Sequence, residues 1–384
     1  MDDLTLIGRV APFRDASAYA ASSGALNLSQ GIPEPLFDNA MNAALARQVR
    51  AGWQYADPRG EMILRESIAA HSAGYAPDSE VLVTSGCTEA LYLALYAAST
   101  QYGSRVAFFE PFYPYYPGMA SLLGLEFVAV PLSAGESIGP DWAVLEQQLR
   151  AGVRILLLNT PHNPTGWCMS ADDWQHMVAL AKNHDFMVIV DEAYRHYQYD
   201  TDTSARYPRQ QIPMMVAGSA SKLLSMTGVR IGWLCAQATF MERAYAHHLY
   251  LSYCQPTPIQ AAVAVLLDEL TAGRLDSLRE HYKHKRDRLA GALTAAGLDI
   301  RLPAGGHYIM ADYSRRAPSL SPVEFSQHLA VRCGVMPLPA TPFYQGPCPT
   351  YVRFSFSVAK PIVDQACARL EDLKWSSMCS TSLS

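Results

Sequence analysis

Between residues 80 and 236 one pattern returns six times: a run of consecutive apolar, β-forming residues that ends in small or polar ones. The runs are EVLVTSG (80–86), RVAFFE (105–110), VRILLLN (153–159), FMVIVDE (186–192), MMVAGS (214–219) and VRIGWLCA (229–236). An unbroken apolar run suits a strand buried on both faces, whereas a strand with one wet face alternates. Helical patterns such as TEALYLALYAAS (88–99) lie between the runs. Strands separated by helices predict βαβ units, the α/β class and a mostly parallel sheet flanked by helices. Beyond about residue 265 the texture changes. A long helical stretch (273–297) leads into shorter strands around HYIMADY and TYVRFSFSV. The reading is a large domain over 36–265 and a smaller α+β domain built from 1–35 and 266–384.

Composition narrows the class. Of 384 residues, 49% are hydrophobic and 17% charged, which fits a globular chain with a large core. The formal charge of −5 comes without a basic block, so neither nucleic acid nor an anionic membrane is an expected partner. HYKHKRDRL (281–289) reads as the wet face of a helix, and His247 and His248 as helix surface. No run of 18 apolar residues and no apolar leader is present, and a cytoplasmic setting is expected. The eight cysteines show no CxxC pair, which argues against a zinc site and a disulfide framework. The tail 375–384 is small and polar and is expected to fray.

In an open α/β sheet, ligands bind beyond the carboxyl ends of the strands. The first run is followed by Ser85-Gly86-Cys87-Thr88, opening a helix, and the second by PFYPYY (111–116). The third ends in NTPHNPTG (159–166), the fourth at Asp191 with Tyr194 behind it, and the fifth at Ser219, Ser221 and Lys222. Those ends offer an anion cradle, an aromatic plate, an amide, a carboxylate with a phenol, and an amine. The set asks for an aromatic heterocycle with a basic nitrogen, a phenolate, an aldehyde and a phosphate, which is pyridoxal 5'-phosphate. A partly desolvated lysine can condense with the aldehyde. Asp191 can keep the ring nitrogen protonated, so that the ring acts as an electron sink. Backbone N–H groups of Gly86, Cys87 and Thr88 at a helix N-terminus suit a phosphate, and Ser219, Ser221 and Arg230 add hydroxyls and fixed charge. Tyr113 can stack on the ring, while Asn163 and Tyr194 can donate to the phenolate. Each motif alone has a plain reading: HNPTG is a turn, Asp191 a helix cap, Arg353 a surface ion pair, Tyr113 a core aromatic.

With NTPHNPTG, VIVDEAY and SASKLLSMTGVRIGW in this order, and QGIPEP, TSGCTEAL, EPFYPYY and YVRFSFS in support, the chain resembles fold-type I pyridoxal-phosphate enzymes. Among them it is most similar to class I/II aminotransferases of the kynurenine and aromatic branch, over residues 28 to 357. The resemblance implies a seven-stranded type of central sheet. It also implies that Lys222 carries the cofactor, Asp191 faces the pyridine nitrogen, and Asn163 and Tyr194 hold the phenolate. Tyr113 is then the stacking aromatic, and Gly86, Cys87, Thr88, Ser219, Ser221 and Arg230 the phosphate cup. Arg353 and the Gly31 backbone match the grip on a substrate carboxylate. Tyr55 resembles a tyrosine that reaches the neighbouring subunit's phosphate, and Tyr253 belongs to a stretch that enters the neighbour's site, so a homodimer with shared active sites is expected. Cys87, Trp167 and His307 depart from the common pattern, and the segment before Leu28 is short, with no match to the family's aromatic substrate contacts. The implied reaction moves an amino group from an L-amino acid to a 2-oxo acid, after Lys222 takes the Cα proton. A C–S or β-lyase, or another biosynthetic reaction on the same cofactor, is the alternative among enzymes. A non-catalytic regulator would need an added DNA-binding domain.

Overall fold

The computed structural model describes residues 3–49, 52–72, 74–134, 138–199 and 207–375. Its centre is an eight-stranded sheet. Across the sheet the strands run Val81–Thr84, Gly232–Ala236, Met214–Ser219, Met187–Asp191, Ile155–Asn159, Arg105–Glu110, Glu126–Ala134 and Ile138–Pro140. The five consecutive strands from Met214–Ser219 to Glu126–Ala134 pair in parallel. Gly232–Ala236 is antiparallel to both its neighbours, and the short Ile138–Pro140 is antiparallel to the last strand. All six apolar runs are strands, trimmed by a few residues at their ends. Glu126–Ala134 lay outside the repeating pattern because EFVAVPLSA mixes polar residues and Pro131 into its apolar positions. It lies near the sheet's edge, where only the short Ile138–Pro140 follows it and a proline's missing N–H is tolerated.

Side chains alternate between the two faces of this sheet, and both faces are dry. Val81, Leu156, Leu158, Val188 and Val190 join one core; Leu82, Ile155, Leu157, Met187 and Ile189 join the other, under helices Gly86–Tyr102 and Ala238–Leu251. Because the central strands are parallel, their carboxyl ends fall along one edge.

A four-stranded antiparallel sheet follows, ordered Asp299–Ile300, Tyr308–Asp312, Tyr351–Ser355, Leu338–Pro339. Leu26–Asn27 pairs in parallel with Val335–Met336. The chain then runs on beside the four-stranded sheet, with Ser355 N–H donating to the Leu28 carbonyl at 2.8 Å. Before the strand Leu26–Asn27 runs the helix Asp3–Ser23, whose Ala16 and Ala20 pack on Ala330, Leu338 and Phe343.

Two readings of exposed surface are corrected. In the helix Ala272–Ala295, Tyr282, Lys285, Arg286 and Leu289 are buried. Lys285 donates to Glu34 Oε2 and to the Ser357 carbonyl, each at 3.2 Å, and Arg286 donates to the Pro303 carbonyl at 2.8 Å. The adjacent Lys285 and Arg286 face inward because carbonyls and a carboxylate meet them there. His248 is also fully buried, while His247 stacks on Tyr96 at 3.9 Å. The tail from residue 376 onward lies outside the described residues. Among the described helices none is long and apolar enough to cross a membrane.

Candidate active site

The strand ends open into a cavity of about 470 Å³. It is lined by Gly31, Cys87, Thr88, Tyr113, Asn163, Asp191, Tyr194, Ser219, Ser221, Lys222, Arg230 and Arg353, all singled out from the sequence. Gly86 stands beside it as the first residue of its helix. Tyr55 and Tyr253 are elsewhere: they meet edge to face at 5.5 Å on the surface, with Tyr55 85% and Tyr253 44% exposed.

Lys222 lies in the short helix Ala220–Leu223 directly after the strand Met214–Ser219. Its Nζ donates to the Gly31 carbonyl at 2.5 Å. Burial lowers the proton affinity of this amine; nearby Tyr308 opposes that, and Arg353 and Arg230 reinforce it. The net result is an amine held below the ordinary lysine range, as a nucleophile or base requires.

Asp191 ends its strand and is buried. Tyr116 Oη donates to Oδ2 at 2.7 Å and the Ala193 N–H to Oδ1 at 3.0 Å. Burial pushes this carboxyl up, and those bonds together with the Cys87 thiol only partly offset it. Such a carboxylate is strongly stabilised by any cation brought beside it, and a protonated ring nitrogen is one. Asn159 braces the same edge: its amide donates to the Asp191 carbonyl at 2.9 Å, and its side-chain oxygen accepts the Asn163 N–H at 2.6 Å.

The anion cradle follows from one helix start. Helix Gly86–Tyr102 begins at Ser85 without a side-chain cap on its first N–H groups. Gly86 has a φ of +76°, and a Cβ there would meet Arg230 Nη2 at 2.6 Å. Facing it, a Cβ on Gly232 would meet the Gly86 backbone. Arg230 leans over this start, with Nη1 to the Thr227 carbonyl at 3.2 Å and Nη2 to the Ser85 carbonyl at 3.4 Å. Ser219 Oγ accepts the Ser221 N–H at 3.0 Å, and Ser221 Oγ is buried with no partner among the described residues. An uncapped helix start, a guanidinium and an orphaned hydroxyl together fit a phosphate. Cys87 stays a thiol, because burial and then Asp191 push it well above its usual range.

Arg353 comes from the middle of the four-stranded sheet and is buried. Nη1 donates to Asn163 Oδ1 at 2.7 Å and Nη2 to the Ser29 carbonyl at 2.8 Å, while Nε has no partner among the described residues. Its guanidinium stands 3.8 Å over the Tyr308 ring. Tyr308 had no assigned role in the sequence. Its hydroxyl bonds Tyr194 Oη at 3.0 Å. Burial alone would raise the Tyr308 phenol, but Arg353, Lys222 and the bond from Tyr194 outweigh it and bring it below the ordinary tyrosine range. Tyr194 is pushed up by burial and by Tyr308.

The sequence also gave no signal for Phe13 or Gln30, which line the cavity. Gln30 holds the N-terminal helix, donating to the Phe13 carbonyl at 2.9 Å and to Ser17 Oγ at 2.6 Å. Tyr116 and Asn159 lay inside motifs already marked, but their brace on Asp191 needs the fold. Trp167 packs edge-on against Phe109 at 6.0 Å, and His307 stacks on Tyr282 at 4.6 Å. Both are buried, and neither lines the cavity.

Comparison with known proteins identifies the family. The chain is 33% identical to a probable N-succinyldiaminopimelate aminotransferase of Mycobacterium tuberculosis, over 94% of this chain and 95% of that protein. It is 32% identical to a methionine aminotransferase of Escherichia coli, with the same shares covered. A solved E. coli methionine aminotransferase superposes with a TM-score of 0.87 at 30% identity, covering 94% of this chain and 96% of that one. The solved M. tuberculosis N-succinyldiaminopimelate aminotransferase gives 0.86 at 32% identity, covering 94% and 98%. The family model for aminotransferase class I and II matches residues 23–370. The chain therefore belongs to the class I and II aminotransferases, enzymes of pyridoxal-phosphate-dependent amino transfer.

Proposed function

We propose that this aminotransferase works on pyridoxal 5'-phosphate held by Lys222, Asp191, Asn163, Tyr194, Tyr113 and the cup of Gly86, Cys87, Thr88, Ser219, Ser221 and Arg230. The observation that carries the reading is the meeting of Lys222, Asp191 and Arg353 in one cavity, although they come from separate strands of two sheets. When bound, the cofactor supplies a ring that accepts the electron pair left at the substrate Cα.

The chain supplies the rest. Arg353 binds the α-carboxylate in a bidentate pair, with the unpartnered Nε beside its outer face and the Gly31 backbone alongside. The neutral amine of Lys222, favoured by burial, takes the Cα proton and later returns it. Tyr113, Tyr194 and the Tyr308 ring keep water from the reacting face. Phe13, Ile32, Leu91 and Tyr115 form apolar wall. Among the lining residues the cations are Lys222, Arg230 and Arg353, each with a task, so the cavity of one chain offers no spare cation to a second substrate carboxylate. The preferred amino donor then has a large apolar side chain, and the acceptor is a 2-oxo acid. The name of the methionine aminotransferase relative supports this class.

The exposed Tyr55–Tyr253 pair supports a homodimer in which each copy completes its partner's phosphate end. A cytoplasmic setting is consistent with the absence of a membrane-crossing helix among the described residues. The purified protein should show a visible absorbance band that shifts with methionine or phenylalanine and not with aspartate. A protein that takes up no pyridoxal phosphate overturns the reading.

A further inference from the structure

His248 stands in the last turn of helix Ala238–Leu251, and Glu89 in the first turn of helix Gly86–Tyr102. The His248 ring is fully buried, and both of its nitrogens have partners. Nε2 lies 3.0 Å from the Pro58 carbonyl oxygen, and Nδ1 lies 2.8 Å from Glu89 Oε1. A carbonyl can only accept, so Nε2 carries a proton. Glu89 is surrounded by donors: the Ser85 N–H reaches Oε2 at 2.5 Å and the Ser252 hydroxyl reaches Oε1 at 2.7 Å. These two donors help to hold the Glu89 carboxyl below its ordinary range, and an ionised carboxylate can only accept, so Nδ1 donates as well. A ring donating from both nitrogens is an imidazolium.

We propose that His248 is kept as a buried imidazolium and is a positioning residue for the phosphate end of the site. With Glu89 it ties the helix start that faces the anion to the loop that carries Tyr55. Three contacts define that tie. The Ser85 peptide is gripped from both sides, its N–H by Glu89 and its carbonyl by Arg230. Pro58, three residues after Tyr55, is held by His248. Ser252, next to Tyr253, closes onto Glu89. Without a cation, the Glu89 carboxylate would repel a phosphate at the same helix start; the imidazolium cancels it.

The other charges nearby are engaged elsewhere. On the loop, Arg59 reaches Glu242 at 2.6 Å and Asp57 faces Arg65 at 3.6 Å. On the helix of His248, His247 stacks on Tyr96, and Glu242 takes Arg59. Among the described residues the carboxylate that meets the His248 ring is Glu89. Burial alone would raise the Glu89 carboxyl, yet the bonds from His248, Ser85 and Ser252 bring it below the ordinary range.

This inference rests on the reading that a phosphate lies at residues 86–88, and the first of two measurements is independent of it. In holoenzyme labelled with ring-15N histidine, with His248→Gln to assign the signals, both nitrogens of His248 should carry protons at neutral pH. One bare nitrogen overturns the proposal, because the pair would then be neutral. The second measurement follows the cofactor dissociation constant of the unmutated enzyme as pH rises, by visible absorbance after dialysis. It should weaken about tenfold over the interval in which the second ring proton is lost, the worth of one charge-assisted contact. A dissociation constant that stays level while that proton leaves overturns the positioning role. Protein that binds no pyridoxal phosphate at any pH contradicts the reading of the site, and the nitrogen signals still decide the charge.

Discussion

The site has two unlike ends. Around Lys222 the chain closes on itself: Arg353, Tyr308, Tyr194 and Asn163 come from both sheets and the loops after their strands, and they satisfy one another at 2.7 to 3.0 Å. Around Tyr55 it stays open, and two tyrosines with little cover lean on each other at the surface. The closed end gathers cations whose burial is costly, and hydrogen bonds from the same chain offset much of that cost. The open end presents aromatic area and one phenol, which suits a surface awaiting a second copy. On the proposed reading, reaction chemistry belongs to the end one chain builds alone, and a second copy would help to retain the cofactor at the other.

The sharpest break in that contrast is Lys222→Ala. Turnover is expected to disappear in steady-state assays while cofactor still binds non-covalently, and persisting transamination would overturn the role of Lys222. Next comes Arg353→Ala, which removes a buried bidentate partner and leaves Asn163 and the Ser29 carbonyl unpaired. A loss of roughly 3 kcal/mol, about a hundredfold in kcat/KM, should appear.

Asp191→Asn separates function from stability. Its carboxyl is raised in the folded chain, so the stability it gives the cofactor-free protein is present at low pH and lost as pH rises through that raised value. At neutral pH the ionised side chain costs stability. The asparagine variant, stripped of cofactor, should therefore melt roughly 2–4 °C higher by calorimetry, and when loaded it should turn over far more slowly. Tyr55→Phe tests the open end. Cofactor affinity should fall by about fivefold to tenfold, one hydrogen bond's worth, with kcat little changed. The smallest effect is expected from Tyr308→Phe. Removing the phenol that favours the charged form of Lys222 should move the acid limb of the pH–rate profile downward by less than one unit.

Much of this was legible because strands buried on both faces announce themselves as apolar runs, and their ends carry the reactive groups in order. The strand Glu126–Ala134 escaped because its edge position lets polar residues and a proline in. His248 and Lys285 escaped for a different reason: a buried cation looks like any surface cation until the carbonyl and carboxylate that neutralise it are placed, and those partners lie from 72 to 251 residues away in sequence. Phe13 needed the tether from Gln30, and Tyr308 needed the register that sets it beside Arg353. Side-chain pairs across elements are fixed by packing, which a linear pattern does not carry.

The paired bare backbones at Gly86 and Gly232 have a wider consequence. A methyl at Gly232 would drive into the Gly86–Cys87 main chain, and one at Gly86 would collide with the Arg230 guanidinium, so the first amides of the helix sit at a height set by main chain on the sheet side. The side chain at position 87 then does not set that height, and its thiol is left to reach Asp191 Oδ1 at 3.6 Å.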